Sequence, residues 1–248
     1  MRPVELALQV LERVAEDQPI GASELARRMQ LPKATVHRLL IVLEQCGWLE
    51  RDGDGRAQWS VTLKPVAVAG RAIERKSGLR MAALPVIDEL RRTTEETVHL
   101  GVLEGDSVVL MERFDGAKSV NRFLPIGTHW HLHWSSAGRA MLANFPPERQ
   151  AAYLARPLLK RRSTEPLAPG ELAAELDVVK AQGYAITIGG GEARSSSVGA
   201  AIFDKQGFPF AGLSITGAVD RLTQEKLEAL APQVAAAAHR ISMGMSLA

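Results

Sequence analysis

The sequence predicts an α+β chain in two parts: a helical N-terminal segment closed by a short hairpin, then a longer segment built around a mostly antiparallel sheet. Three observations carry this expectation. Apolar residues recur at helical spacing through residues 4–43. A glycine-rich tip, Asp52-Gly53-Asp54-Gly55-Arg56, separates two short strand-like runs. Beyond residue 96, alternating apolar runs sit in blocks, with helical stretches grouped between them.

Composition narrows the function classes. With 46% hydrophobic and 23% charged residues among 248, the chain has ample material for a core and is neither disordered nor fibrous. No apolar run reaches the roughly 18 residues of a membrane-spanning helix, so no membrane partner is expected. The opening Met1-Arg2-Pro3-Val4-Glu5 runs straight into helical sequence, without the look of a signal peptide. Cys46, the single cysteine, excludes an intrachain disulfide and points to a reducing cytoplasm. Its place beside the Leu43 stripe suggests a small buried hydrophobe.

Net charge is only +2, yet its distribution is uneven. Arg27, Arg28, Lys33 and Arg38 lie between Leu25 and Leu43 with no acid among them, and Lys64, Arg71, Arg75, Lys76 and Arg80 face Glu74 alone. Local basic faces of this kind suit phosphate contact better than the net charge does.

Val4, Leu6, Leu8, Val10, Leu11 and Val14 make a first helix, stopped by Pro19-Ile20-Gly21. A short helix spans Ala22 to Met29. The next starts at Pro32, where a first-turn proline is tolerated, and ends at Gln45, with Gly47 as its cap. Val36, Leu39, Leu40 and Leu43 form its buried stripe. Ala34, His37, Arg38 and Ile41 face the other way, flanked by Lys33 and Thr35. Three helices and a hairpin make a winged helix-turn-helix, whose second motif helix enters the major groove. Arg38 is then placed for guanine O6 and N7, Lys33 and Thr35 for phosphates, and Arg51 and Arg56 for the backbone beside the hairpin.

A basic helix from Leu63 to about Lys76 reads as a linker. Further helices are expected at Leu84–Arg92, Ala137–Asn144, Pro147–Ala155, Gly170–Gln182 and Thr223–Ile241. Strands are expected at Thr97–Leu103, Ser107–Phe114, Ser119–Leu124, Tyr184–Ile188, Ser196–Phe203 and Phe208–Ile215. The domains are therefore drawn at 1–62, 63–78 and 79–248.

Several stretches, spread in order over nearly the whole chain, carry a resemblance. They are Ser23-Glu24-Leu25-Ala26, Leu31-Pro32-Lys33-Ala34-Thr35-Val36-His37-Arg38-Leu39-Leu40, Glu96-Thr97-Val98-His99-Leu100, Ser135-Ser136-Ala137-Gly138-Arg139-Ala140, Gln182-Gly183-Tyr184-Ala185 and Leu213-Ser214-Ile215-Thr216-Gly217. In these the chain resembles the IclR family of transcriptional regulators. The resemblance implies a dimeric or tetrameric regulator, more readily a repressor, with a GAF-like C-terminal domain that binds a small organic effector. Ser23, Ala34 and His37 complete the expected DNA-contacting set.

By matching motif, the effector pocket would include Ser136, Ala137, Ser197, Ser214 and Thr216, with Thr187 added as a candidate beside them. Ser214 and Thr216 stand two apart on a strand and share a face. The helix beginning near Ala137 offers backbone N–H groups to a carboxylate, so a small organic acid is the expected effector. The chain departs from the family pattern at Thr187, where relatives often carry an acid, at Gly189-Gly190-Gly191, and at Ile202, where a proline is common.

His129-Trp130-His131-Leu132-His133-Trp134 would place its three histidines on one strand face, at metal-binding reach with a further ligand such as Glu192. Trp130 and Trp134 would otherwise wall the pocket and suit an aromatic acid. Two other readings therefore stay open: a metal-dependent enzyme or sensor module on this strand, and a DNA-binding dimer with a vestigial pocket. The main reading requires no catalytic residue, metal or cofactor. Nucleotide-loop and G-x-S-x-G spacings are missing around Gly189-Gly190-Gly191 and Ser214.

Overall fold

The computed structural model describes residues 2–52, 57–118, 124–159, 165, 167, 170–190 and 195–247. The chain divides into two compact units, residues 1–75 and 76–248.

In the first unit, α1 (Arg2–Asp17) buries Val10 and Val14, and α2 (Ala22–Met29) buries Leu25 and Ala26. Gln30 adopts a left-handed conformation, φ 54°, and turns the chain into Pro32, the N-cap of α3 (Lys33–Gln45). Val36, Leu40 and Leu43 are buried at i, i+4, i+7, while Leu39 is only half-buried. The wing is β2 (Leu49–Arg51) and β3 (Gln58–Val61), antiparallel. A two-residue strand β1 (Ile20–Gly21), read in the sequence only as a helix stop, pairs with β3 through Ile20 and Trp59 and completes a three-stranded sheet. Cys46 is exposed rather than buried, because α3 has ended and its turn faces outward. The basic segment is α4 (Lys64–Glu74), which buries no residue. Thr62 Oγ1 donates to Gly47 O at 2.7 Å, and Lys64 Nζ donates to Cys46 O, so the start of α4 caps the end of α3.

The second unit opens with α5 (Ser77–Thr94), seven residues earlier than the sequence suggests. Pro85 lies inside it, yet Leu79, Ala83, Val86, Ile87 and Leu90 are buried on both sides of the proline, and packing of that stripe outweighs one lost hydrogen bond. The same holds for the last helix, which carries Pro232 and runs on to Leu247. Next come β4 (Thr97–Glu104), β5 (Ser107–Phe114) and β6 (His129–His131); the strand expected at Ser119–Leu124 lies outside the described residues except for Leu124, which is irregular. A 3-10 turn, Leu132–Trp134, leads into α6 (Ser136–Ala143), followed by α7 (Pro147–Leu154) and α8 (Glu171–Gln182). Finally β7 (Ala185–Gly190), β8 (Ser195–Phe203) and β9 (Pro209–Ala218) precede α9 (Gln224–Leu247).

The six strands form one antiparallel sheet in the order β6-β5-β4-β9-β8-β7. One face carries Val98, Leu100, Val198, Ala200, Leu213 and Ile215, all buried, on the side packed by α5 and α9. On the other face α6 and α8 pack with Tyr153 of α7 in a second core. Two glycines set how closely α6 approaches. A Cβ at Gly199 would lie 2.5 Å from Ala137 N, and one at Gly212 3.0 Å from Ala137 Cβ. Gly199 must lack a side chain for the first turn of α6 to rest on the sheet, and at Gly212 a Cβ would fit only if Ala137 gave way by a few tenths of an ångström.

Candidate functional site

In the first unit, α3 presents Lys33, Ala34, His37 and Arg38 exposed, with Thr35 half-buried, and Ser23 is exposed on α2. The run of four cations splits in two. Arg27 and Arg28 both bond Glu24, at 2.6 and 2.8 Å, and Arg28 also reaches Asp17 at 2.5 Å. These guanidiniums hold the Glu24 carboxyl down at about 2. Lys33 and Arg38 form no ion pair among the described residues. The cationic face is therefore narrower than composition suggests and concentrated on the first half of α3. Arg51 lies over the Trp59 ring at 5.3 Å and reaches Glu44 at 3.5 Å, so the wing arginine is held against its own sheet. Arg56 lies outside the described residues.

The second unit builds its site on the α6 face of the sheet. Register places Thr187, Ser197, Thr216 and Thr97 in one row across β7, β8, β9 and β4. Directly opposed residues share a face, so four hydroxyls line up in a row. The next row along holds Gly199, Ser214 and His99. Above Gly199 stands the start of α6. Ser136 Oγ and Ser197 Oγ are 2.8 Å apart, and Ser197 Oγ and Thr187 Oγ1 2.7 Å, a continuous hydroxyl chain from helix to sheet edge. Ser135 Oγ accepts from Gly138 N at 3.0 Å, which leaves the N–H groups of Ser136 and Ala137 as the donors of this first turn with no partner among the described residues. Both residues are buried, so these donors sit away from bulk water.

Sequence reasoning missed the β4 and β5 side of this face. His99 is buried, and its Nε2 has no hydrogen-bond partner among the described residues. Burial pushes the imidazole down to about 4, with Arg113 adding to the shift, so it is neutral near pH 7. Arg113 pairs with Asp115 at 2.7 Å, and Thr97 Oγ1 donates to the same carboxylate at 3.2 Å. The available signal was alternation: Thr97 and His99 interrupt an apolar strand at period two, as Ser214 and Thr216 do on β9.

The histidine cluster differs from its expected form. His129 and His131 are on β6, but the strand ends there and His133 turns inward. Its Nδ1 lies 2.7 Å from Tyr153 Oη and its Nε2 2.9 Å from Leu159 O. Both ring nitrogens are engaged, because Leu132 and His133 must bury to bring Ser135 to the N-cap of α6. No group of three potential metal ligands occurs among the described residues, and Glu192 lies outside them. Trp130, on β6, packs against the core on the α6 side of the sheet. Trp130 pairs with Val108, and Val108 with Leu103, six residues along β4 from Thr97, or about 20 Å. The Trp134 indole donates to Leu159 O at 2.9 Å.

Comparison with known proteins decides the family. A model of the IclR helix-turn-helix domain matches residues 3–53, and a model of the bacterial transcriptional regulator IclR C-terminal region matches residues 72–243. The chain belongs to the IclR family. Among IclR-family relatives, the HTH-type transcriptional regulator BhcR of Paracoccus denitrificans is 33% identical over 99% of this chain and 88% of its own length. The crystal structure of Thermotoga maritima IclR superposes with a TM-score of 0.77 at 26% identity, covering 99% of each chain. An IclR homolog from Microbacterium hydrocarbonoxydans, complexed with 4-hydroxybenzoate, gives 0.77 and 26% over 99% of this chain and 100% of that one. This IclR-family chain is thus a helix-turn-helix transcriptional regulator and not an enzyme. None of its described helices is long and apolar enough to cross a membrane.

Proposed function

We propose that this IclR-family regulator reads a DNA operator through α3 and releases or engages it when a small organic acid binds the α6 face of the sheet. In this reading residues 1–62 contact DNA, 63–78 couple the parts and 79–248 bind the effector, in the cytoplasm. Arg38 reads base edges, while Lys33, Thr35 and His37 with Ser23 and the Ala34 backbone set the register on phosphates; Arg51 and Arg56 track the backbone beside the wing. The effector carboxylate sits on the N–H groups of Ser136 and Ala137, where unpaired donors and the helix dipole favour an anion. Thr187, Ser197, Ser214 and Thr216 supply the remaining hydrogen bonds. The hydroxyl chain joining buried Ser136 to half-buried Ser197 and Thr187 carries this reading, since hydroxyls gathered at a helix start suit a polar ligand better than core packing. The neighbour bound to 4-hydroxybenzoate supports an acid, aromatic acids included.

The regulator acts as a homodimer or homotetramer. Val4 and Leu8 on α1, and Leu63, Val66 and Val68 at α4, are exposed, and a second copy of the chain is the partner that would cover them. Two recognition helices then meet half-sites about one helical turn, or a multiple, apart. Repression is the favoured sign.

The test is operator binding across a salt series with and without a panel of organic acids. Steep salt dependence, sequence selectivity and a shift caused by at least one acid are expected. Selective binding indifferent to every acid would leave a DNA-binding dimer with a vestigial pocket. Arg38→Ala should cost on the order of 1–3 kcal/mol at the cognate sequence and relax selectivity there; unchanged selectivity would remove α3 from the role of reader.

A further inference from the structure

On the α6 face of the sheet, His99 is a buried polar group to which the effector site as proposed gives no task. His99 lies on the same sheet face as the hydroxyl row, next to Ser214, and Ser214 lies next to Gly199, on which the first turn of α6 rests. His99 is 7% exposed, and its Nε2 has no partner among the described residues. An unpaired buried nitrogen is costly unless something in use pairs with it. Two strand spacings, about 10 Å between backbones, separate the row ends at Gly199 and His99. That span suits a ligand with one polar group at each end.

The charge around His99 says which group the far end takes. Arg113 is the cation opposite His99 on β5, and it is engaged by Asp115 at 2.7 Å. Thr97 Oγ1 also donates to Asp115, so the cation at this end of the face already has a carboxylate against it. A second carboxylate arriving here would meet Asp115 with Arg113 already engaged. A hydroxyl or carbonyl would meet only the neutral imidazole. We propose that His99 is the specificity-determining residue of the effector site, hydrogen-bonding a neutral hydroxyl or carbonyl at the end of the effector opposite its carboxylate, so that the regulator senses hydroxy- or oxo-monocarboxylates and rejects dicarboxylates. This assignment rests on the effector site proposed above.

Two matched series test it by calorimetric titration of the full-length protein: butyrate, 4-hydroxybutyrate and succinate, and benzoate, 4-hydroxybenzoate and terephthalate. In at least one series the hydroxy acid should bind about tenfold more tightly than the unsubstituted acid, the worth of pairing one buried polar group, and the dicarboxylate should be the weakest. His99→Leu should erase the hydroxyl preference while leaving the unsubstituted acid within about threefold, and His99→Gln, which keeps a polar atom near Nε2, should retain much of it. If the leucine variant does not fold, the glutamine variant and the order of the six probes still decide. Acids that bind, lose affinity in Ser197→Ala, and yet show no hydroxyl preference, or one that survives His99→Leu, would overturn the role of His99 and keep the site. Binding unaffected by Ser197→Ala, or absent for all six probes, would overturn the site and His99 with it.

Discussion

The two faces of the six-stranded sheet are made of the same strands and behave as opposites. Toward α5 and α9, Val98, Leu100, Val198, Leu213 and Ile215 are fully buried and apolar. Toward α6, the alternate positions are Thr97, His99, Ser197, Ser214 and Thr216, with glycines where the helix comes close. A strand has only two faces, and each residue serves one of them. The apolar face contributes burial worth roughly 25 cal/mol per Å² of apolar surface. The polar face forgoes that contribution at each hydroxyl and keeps a set of donors and acceptors in a place water reaches poorly. Stability thus comes from one side and recognition from the other, a division that mutations can separate.

The largest effect is expected on the apolar face. Leu213→Ala should destabilise the second unit by about 2–5 kcal/mol, read by urea unfolding. Ser197→Ala, three register rows away on the neighbouring strand and facing α6, should cost within about 1 kcal/mol. Equal losses at the two positions would erase the distinction between the faces.

Acid should weaken the polar face next. His99 has its protonation midpoint lowered from 6.5 to about 4 by burial, with Arg113 nearby and Asp115 opposing. The unfolded chain therefore binds a proton that the folded chain refuses between these values. The stability is fully present above pH 6.5 and is lost as pH falls toward 4, on the order of 3 kcal/mol in all. His133, lowered chiefly by burial, adds to the slope in the same direction. His99→Gln should accordingly give a shallower loss between pH 6.5 and 4, measured by unfolding at a series of pH values. An unchanged slope would mean that His99 takes up its proton in the folded state as readily as in the unfolded one.

The N-terminal unit shows the same lesson on a smaller scale. Arg27 and Arg28 look like Lys33 and Arg38 in the sequence, but the first two are bound by Glu24 and the second two are not. Charge counted along a chain becomes a cationic face only after helix neighbours at i, i+3 and i, i+4 have been paired.

Much of this architecture was legible in the sequence because its signals are local. The α3 stripe, the Gly-rich wing and the paired strands around Glu104-Gly105-Asp106 all declare themselves within a dozen residues. What stayed hidden depends on pairing across the chain. Nothing near Glu96-Thr97-Val98-His99 says that β4 will lie beside β9, which is what brings His99 next to Ser214. Ile20 reads as a helix end until Trp59 arrives to pair with it. The histidine run was misread for a related reason: period-two spacing favours a strand, but the need to cap α6 and to seat His133 on Tyr153 ends the strand at His131. Pro85 and Pro232 show packing prevailing over a local breaker.

If the polar face senses an acid, α3 must respond to it at the operator. Operator affinity of wild type and Ser197→Ala, followed side by side as 4-hydroxybenzoate or 4-hydroxybutyrate is raised at fixed salt, tests it most directly. Wild-type affinity should shift with one of these acids, and the Ser197→Ala curve should be displaced to about tenfold higher acid with the acid-free affinity intact. Superimposable curves, or an operator affinity that no acid moves, would contradict it.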